Sequence, residues 1–124
     1  MIQNALHETT ILNLGPVTLL PLGEGKSFAI GSVAIAVFRT RSGQVFATQA
    51  RCPHRGGPLA DGTLGGTTVH CPLHGFAFDL STGRPVGNDC KGLETLKIEV
   101  NGSGQILVHV PSAKLHALHQ SMQP

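Results

Sequence analysis

The stretch Arg51-Cys52-Pro53-His54-Arg55-Gly56-Gly57-Pro58-Leu59-Ala60-Asp61-Gly62, answered by Cys71-Pro72-Leu73-His74-Gly75-Phe76, decides how the rest of the chain reads. Between positions 51 and 66 two prolines and five glycines break every apolar periodicity, so this part is an irregular loop. The sequence on either side is regular. Residues 16–22 read as a first strand between Gly15 and Gly23, followed by 28–30 and 32–40 across Gly31. Arg41-Ser42-Gly43 is a turn, and the alternating segment 44–49 completes a hairpin. Short strands are expected at 67–70 and 76–80, the latter ended by Ser81-Thr82-Gly83. Residues 93–100 alternate again, Asn101-Gly102-Ser103-Gly104 turns the chain, and 105–110 return. Two irregular loops thus interrupt an antiparallel β-framework, and no internal repeat is evident. The tail, 112–124, reads as a short helix or a frayed end.

Each loop carries one cysteine and one histidine, as Cys52-x-His54 and Cys71-x-x-His74, with sixteen residues between the pairs. Thiolates and imidazoles bind borderline and soft metals, and two close pairs on separate loops can converge on one centre. Two assignments use these donors. In a [2Fe–2S] cluster with mixed ligation, each loop gives a thiolate to one iron and an imidazole to the other. In a closed Cys2His2 zinc site all four surround one ion, although zinc modules usually pair like with like, as C-x(2–4)-C and H-x(3–5)-H. The zinc reading makes the chain an interaction module, and the iron reading makes it an electron carrier.

Composition narrows the function classes. At 124 residues the chain reads as one domain, residues 1–124, with cluster-binding loops at about 51–80. Sixteen Gly and eight Pro suit an all-β fold rich in turns. A net charge of +2, with no run of Lys or Arg and only five aromatic residues, argues against a nucleic-acid partner. The longest apolar run, residues 33–38, is sized for a core strand rather than a membrane span, so no membrane partner is expected. Met1-Ile2-Gln3-Asn4 opens no signal peptide, and the expected compartment is the reducing cytoplasm. Three cysteines, an odd number, argue for metal or catalytic use over a disulfide framework. Cys90 is expected to be a buried or half-exposed free thiol. His7, His70, His109, His116 and His119 lack partners at useful spacing and read as surface histidines. Nothing forms a nucleophile or an acid–base pair.

The runs C-P-H-R-G-G-P-L-A-D-G and C-P-L-H-G-F-A-F-D-L-S-T-G resemble the cluster-binding segment of Rieske ferredoxin-type proteins. The resemblance covers about residues 17–110. It implies an antiparallel β-sandwich base carrying a small cluster-binding subdomain, and one [2Fe–2S] cluster on Cys52, His54, Cys71 and His74. H-R-G-G-P-L-A-D-G and the later G-R-P-V-G-N-D are most similar to small subunits of assimilatory nitrite reductase, with ferredoxin components of ring-hydroxylating dioxygenases next. The implied role is one-electron delivery to a larger redox enzyme or subunit, with a donor such as a flavin reductase. A terminal oxygenase would need a further domain with a 2-His-1-carboxylate iron site, and the chain ends soon after its last strand.

Residues around the four ligands then acquire expected roles. Pro53 and Pro72 follow the ligand cysteines and stiffen the loops by fixing φ, and Pro58 does the same towards the base. Gly56, Gly57 and Gly75 allow tight turns and close approach of backbone N–H groups to sulfur. Leu59 and Leu73 either shield the cluster from water or pack in the core. Arg55 faces an acidic partner or solvent. High-potential respiratory members carry a Ser and a Tyr that donate hydroxyl bonds to cluster sulfur, where this chain has Phe76 and Phe78, which donate none. They also brace the loops with a disulfide, where this chain has Gly56 and Leu73. Both departures imply a low potential. The ligand imidazoles are expected at an exposed tip, with a potential that falls with rising pH once one of them loses a proton.

Overall fold

A computed structural model describes residues 9–31, 33–73 and 75–111. Its framework is antiparallel throughout. Strand β1 (Thr9–Pro16) starts a sheet that also contains β2 (Glu24–Ile30), β3 (Val33–Arg39), β4 (Val45–Gln49), β9 (Thr95–Val100) and β10 (Gln105–Pro111). The order across this six-stranded sheet is β1-β10-β9-β4-β3-β2. A second, four-stranded sheet is built from β5 (Thr63–Gly65), β6 (Thr68–His70), β7 (Ala77–Asp79) and β8 (Pro85–Val86), in chain order.

The large sheet curves around a core of its own. Val33, Ile35 and Val37 of β3 share one core with Ile106, Val108 and Val110 of β10, although β9 and β4 separate those strands in the sheet. Both sets obey the two-residue strand period, so alternate side chains face inward. Ala36 and Phe38, on the opposite face of β3, belong to a second core with Leu59, Val69, Phe78, Leu80 and Leu93. Strand β3 is therefore covered on both faces, which is why residues 33–38 read as an unbroken apolar run instead of an alternating one. Each fully buried Ile, Leu or Phe contributes about 1.5–3 kcal/mol relative to exposure.

The four-stranded sheet and its loops are inserted between β4 and β9, which lie side by side through Ala47↔Leu96 and Thr48↔Thr95. Departure and return are clamped by Gln49. Its backbone N–H donates to the Glu94 carbonyl at 2.9 Å, its side-chain Oε1 accepts from the Glu94 N–H at 2.8 Å, and its Nε2 donates to the Arg51 carbonyl at 2.7 Å.

The expected first strand is displaced. Residues 9–16 form β1, and 17–19 wind into a 3-10 turn that leads to fully buried Leu20. Pro16 has no N–H for the ladder, so β1 ends at the residue expected from the sequence to begin it. The alternating Thr9–Leu14 segment, which pairs with β10 before a bulge at Asn13/Gly15, carries the true signal. The 33–49 and 95–111 hairpins form as expected, whereas β2 begins at Glu24, four residues before the strand expected at 28–30, and β5 and β8, of three and two residues, are too short to stand out from sequence. The tail 112–124 lies outside the described residues.

Candidate metal centre

Two loops, residues 52–57 and 71–76, bring Cys52 and Cys71 together. Both cysteines are 3% exposed and belong to the core that contains Phe38 and Phe78. The loops use the same backbone bonds. The Cys52 N–H donates to the Gly57 carbonyl at 2.8 Å and the Gly56 N–H donates back to the Cys52 carbonyl at 2.8 Å. In the other loop the Cys71 N–H donates to the Phe76 carbonyl at 2.8 Å and the Gly75 N–H to the Cys71 carbonyl at 2.9 Å. The flanks match too, since Arg51 bridges Pro58 as His70 pairs with Ala77. The closing residue of each turn has positive φ, +74° at Gly56 and +70° at Gly75, where an L side chain would be strained. A short structural repeat is thus present, contrary to the expectation from sequence. Its signal, C-P-x-x-G at 52–56 and again at 71–75, is short enough to be overlooked.

The loops also reach across to each other. A Cβ on Gly57 would lie 2.9 Å from Leu73 Cγ and 3.0 Å from Cys71 Sγ, so its absence lets Leu73 and the second thiol close over the first loop. In the reciprocal contact the Phe76 ring stacks on the His54 imidazole, with centroids 4.1 Å apart and planes 19° from parallel. The sixth residue of each loop therefore meets the third residue of the other, Gly57 with Leu73 and Phe76 with His54.

Burial pushes the Cys52 thiol above its ordinary value, and the Cys71 thiol beside it adds to the rise. The backbone N–H groups of His54 and Arg55, pointing at the same sulfur, act in the opposite direction. A buried thiol such as Cys52 resists ionisation unless a metal neutralises it, and donors aimed at its sulfur stabilise the charge that then develops. Arg55 thus contributes its main-chain N–H, while its side chain is exposed. His54 is exposed at the loop tip, as expected of an imidazole ligand near an electron exit. His74 lies outside the described residues. Among the described residues no three His, Cys, Asp or Glu side chains gather as around a single ion. The buried thiol pair, the N–H donors and the close approach of the Cys71 sulfur that Gly57 permits fit the thiolate end of a [2Fe–2S] cluster.

The other expected residues separate into two groups. Leu59 and Phe78 are fully buried and serve the core. Leu73 is 54% exposed, so it covers the loops rather than packing inside. Pro53 is half-buried, and Pro58, Pro72 and Gly75 are exposed along the two turns. Sequence reasoning does not single out Arg51, whose guanidinium donates to the Gly56 carbonyl at 2.9 Å and ties the first loop to the Gln49 clamp. His109, expected to lack a partner, pairs with Glu99 at 2.9 Å, because β9 and β10 bring together residues ten apart. Cys90 is a half-buried free thiol against the second core.

A family model for the Rieske [2Fe-2S] domain matches residues 11–97. The chain belongs to the Rieske family. The cofactor is accordingly a Rieske-type [2Fe–2S] cluster, the fold is the Rieske β-sandwich, and the protein transfers electrons. The zinc alternative is set aside by this match. The chain is 34% identical over 101 residues to the 3-phenylpropionate/cinnamic acid dioxygenase ferredoxin subunit of Shigella flexneri, a match that spans 80% of this chain and 92% of the relative. It shares 30% identity with a chain in the complex of reduced oxygenase and oxidised ferredoxin of carbazole 1,9a-dioxygenase, covering 78% of this Rieske chain and 99% of that one, with a TM-score of 0.68. A protein from Mycobacterium tuberculosis described as an NADH-dependent nitrite reductase small subunit gives a TM-score of 0.75 over 82% of this chain and 95% of its own. At 21% identity that likeness shows the fold. Some relatives are far longer: the chain spans 13% of a cholesterol 7-desaturase of Xenopus laevis. Among the described residues no helix is long and apolar enough to cross a membrane.

Proposed function

We propose that Cys52 and Cys71 hold one iron and His54 and His74 the other, and that the protein passes single electrons to a larger oxidoreductase. The observation that carries this reading is the meeting of two buried thiols at the junction of two matched loops, with His54 exposed beside them. When bound, the cluster supplies a one-electron couple. The chain's own residues do the rest. The second core excludes water from the sulfur side, the His54 and Arg55 N–H groups stabilise negative charge at Cys52, and the exposed imidazole edge shortens the path to a partner.

Two partner classes are supported by different observations. A nitrite reductase large subunit fits the runs at 54–62 and 83–89 and the shared fold. The oxygenase of a ring-hydroxylating dioxygenase fits the identity to a ferredoxin subunit over most of both chains. A flavin reductase is the proposed electron donor in the dioxygenase case. Reducing the loaded protein with dithionite and following its reoxidation by each class of acceptor separates them, the true partner acting at catalytic concentration. Failure with both would overturn delivery to these two acceptor classes without touching the cluster assignment.

The rings of Phe76 and Phe78 offer no hydroxyl to sulfur, so the expected potential lies nearer about −150 mV than about +300 mV, the two ends of the Rieske range. Protein-film voltammetry measures it, and a clearly positive value would contradict the reading.

A further inference from the structure

The contact between Phe76 and His54 crosses from one loop to the other and joins an aromatic face to a ligand imidazole. We propose that Phe76 is a positioning residue for His54: its ring sets the plane of the imidazole and covers one face of it. The inference rests on His54 being a ligand, and it adds what holds that ligand.

Three features support it. The stack is close and nearly parallel, 4.1 Å between centroids at 19°. A stacked ring restrains the tilt of an exposed imidazole without occupying either ring nitrogen. The same position in the first loop is Gly57, which offers no surface, and the residue lying over it is Leu73, which carries no donor. The aromatic therefore stands where the opposing third residue is the His54 imidazole, and is missing where that residue is Leu73. Phe76 itself is held by the Cys71 N–H on its carbonyl at 2.8 Å, so the ring is tied to the backbone of the other ligand cysteine.

A ligand held in one orientation reorganises less when the cluster changes charge. Covering one face of the imidazole also keeps water from solvating the extra negative charge of the reduced state. Replacing the ring by the smaller, non-planar side chain of leucine should therefore spread the imidazole orientation, open that face to water and favour reduction.

The test compares Phe76→Leu with Phe76→Trp. In apoprotein whose circular dichroism retains the β-sheet signal of the loaded protein, the carbon-bound protons of the His54 ring should show an upfield ring-current displacement in wild type and F76W, which F76L loses. In the loaded proteins, F76L should broaden the His54 nitrogen couplings seen by pulsed electron spin resonance. It should also shift the reduction equilibrium several-fold towards the reduced form, a tenfold shift being about 59 mV for a one-electron couple. F76W should restore both. Unchanged couplings and potential in F76L overturn the proposal, as does a missing ring-current displacement in wild type. If F76L binds no cluster, F76W decides: native couplings support the proposal, and broadened ones overturn it. Failure of the ligand reading looks different, because His54→Cys would then leave the spectrum of the reduced protein unchanged while the apoprotein result stands.

Discussion

The loops at 52–57 and 71–76 share one backbone and diverge in what they place on it. Each uses C-P-x-x-G, a cysteine N–H closing on the carbonyl five residues later, and a left-handed glycine fifth in line. In the first loop the third and fourth positions are His54 and Arg55, and in the second they are Leu73 and His74. The sixth is Gly57 in one and Phe76 in the other. Support differs as well. Arg51 braces the first loop by a bond to the Gly56 carbonyl, whereas the second leads straight into the ladder of β6, β7 and β8. The lesson is that backbone symmetry brings the two thiols together, while the departures from it decide where His54 stands and what packs on it.

The largest effect expected from breaking the pair is loss of the cluster. Replacing Cys52 or Cys71 by serine should each lower iron and acid-labile sulfide to background, because the two thiols occupy matched places. Retention of a native spectrum by either variant would remove that cysteine from the ligand set.

Gly57→Ala should come next. The added Cβ meets Leu73 Cγ at 2.9 Å and Cys71 Sγ at 3.0 Å, an overpacking expected to cost about 1–3 kcal/mol in the thermal unfolding of the loaded protein. Leu73→Ala combined with it should recover part of that cost, since one of the two clashes disappears. An additive double variant would show that the loops do not press on each other there.

Gly56→Ala and Gly75→Ala sharpen the comparison most directly. Both positions have positive φ, and a Cβ at either would point into open space, so backbone strain alone should cost about 1–2 kcal/mol at each. Nearly equal losses in urea unfolding support a common backbone, and a loss confined to one loop breaks the equivalence.

The smallest effect belongs to the hairpin after the second loop. Asp79 accepts the Ser81 hydroxyl at 2.6 Å and the Ser81 N–H at 2.8 Å, and these bonds hold its carboxyl below the ordinary carboxylate value. Its contribution to stability is therefore fully present above about pH 3.9 and is lost as pH falls through the lowered folded value. Asp79→Asn should flatten the acid limb of the stability curve slightly, with the midpoint near neutral pH almost unmoved. An unchanged acid limb would show that the turn does not depend on that charge.

Much of the site was legible because its chemistry is local. Cysteine and histidine at fixed short spacings, between residues that only turns accommodate, announce a metal centre before any folding is known. The pairing of 33–39 with 45–49 was legible for the same reason, as an apolar run and an alternating segment on either side of Arg41-Ser42-Gly43 leave few other registers. The start of β1 was not, because an apolar run beginning at a proline carries the same composition as a strand while lacking the donor that a strand needs.

By itself the order of residues determined where the proposed donors stand along the chain, the turns that carry them and the antiparallel character of the framework, since each follows from properties of neighbouring side chains and φ angles. Only the tertiary structure decided that β3 is covered on both faces, that Gln49 clamps the entry and exit of the inserted sheet, that Gly57 yields to Leu73, and that Phe76 lies on His54. Those contacts join residues that are distant along the chain, and a pattern read along one dimension does not specify which distant surfaces meet when the chain closes.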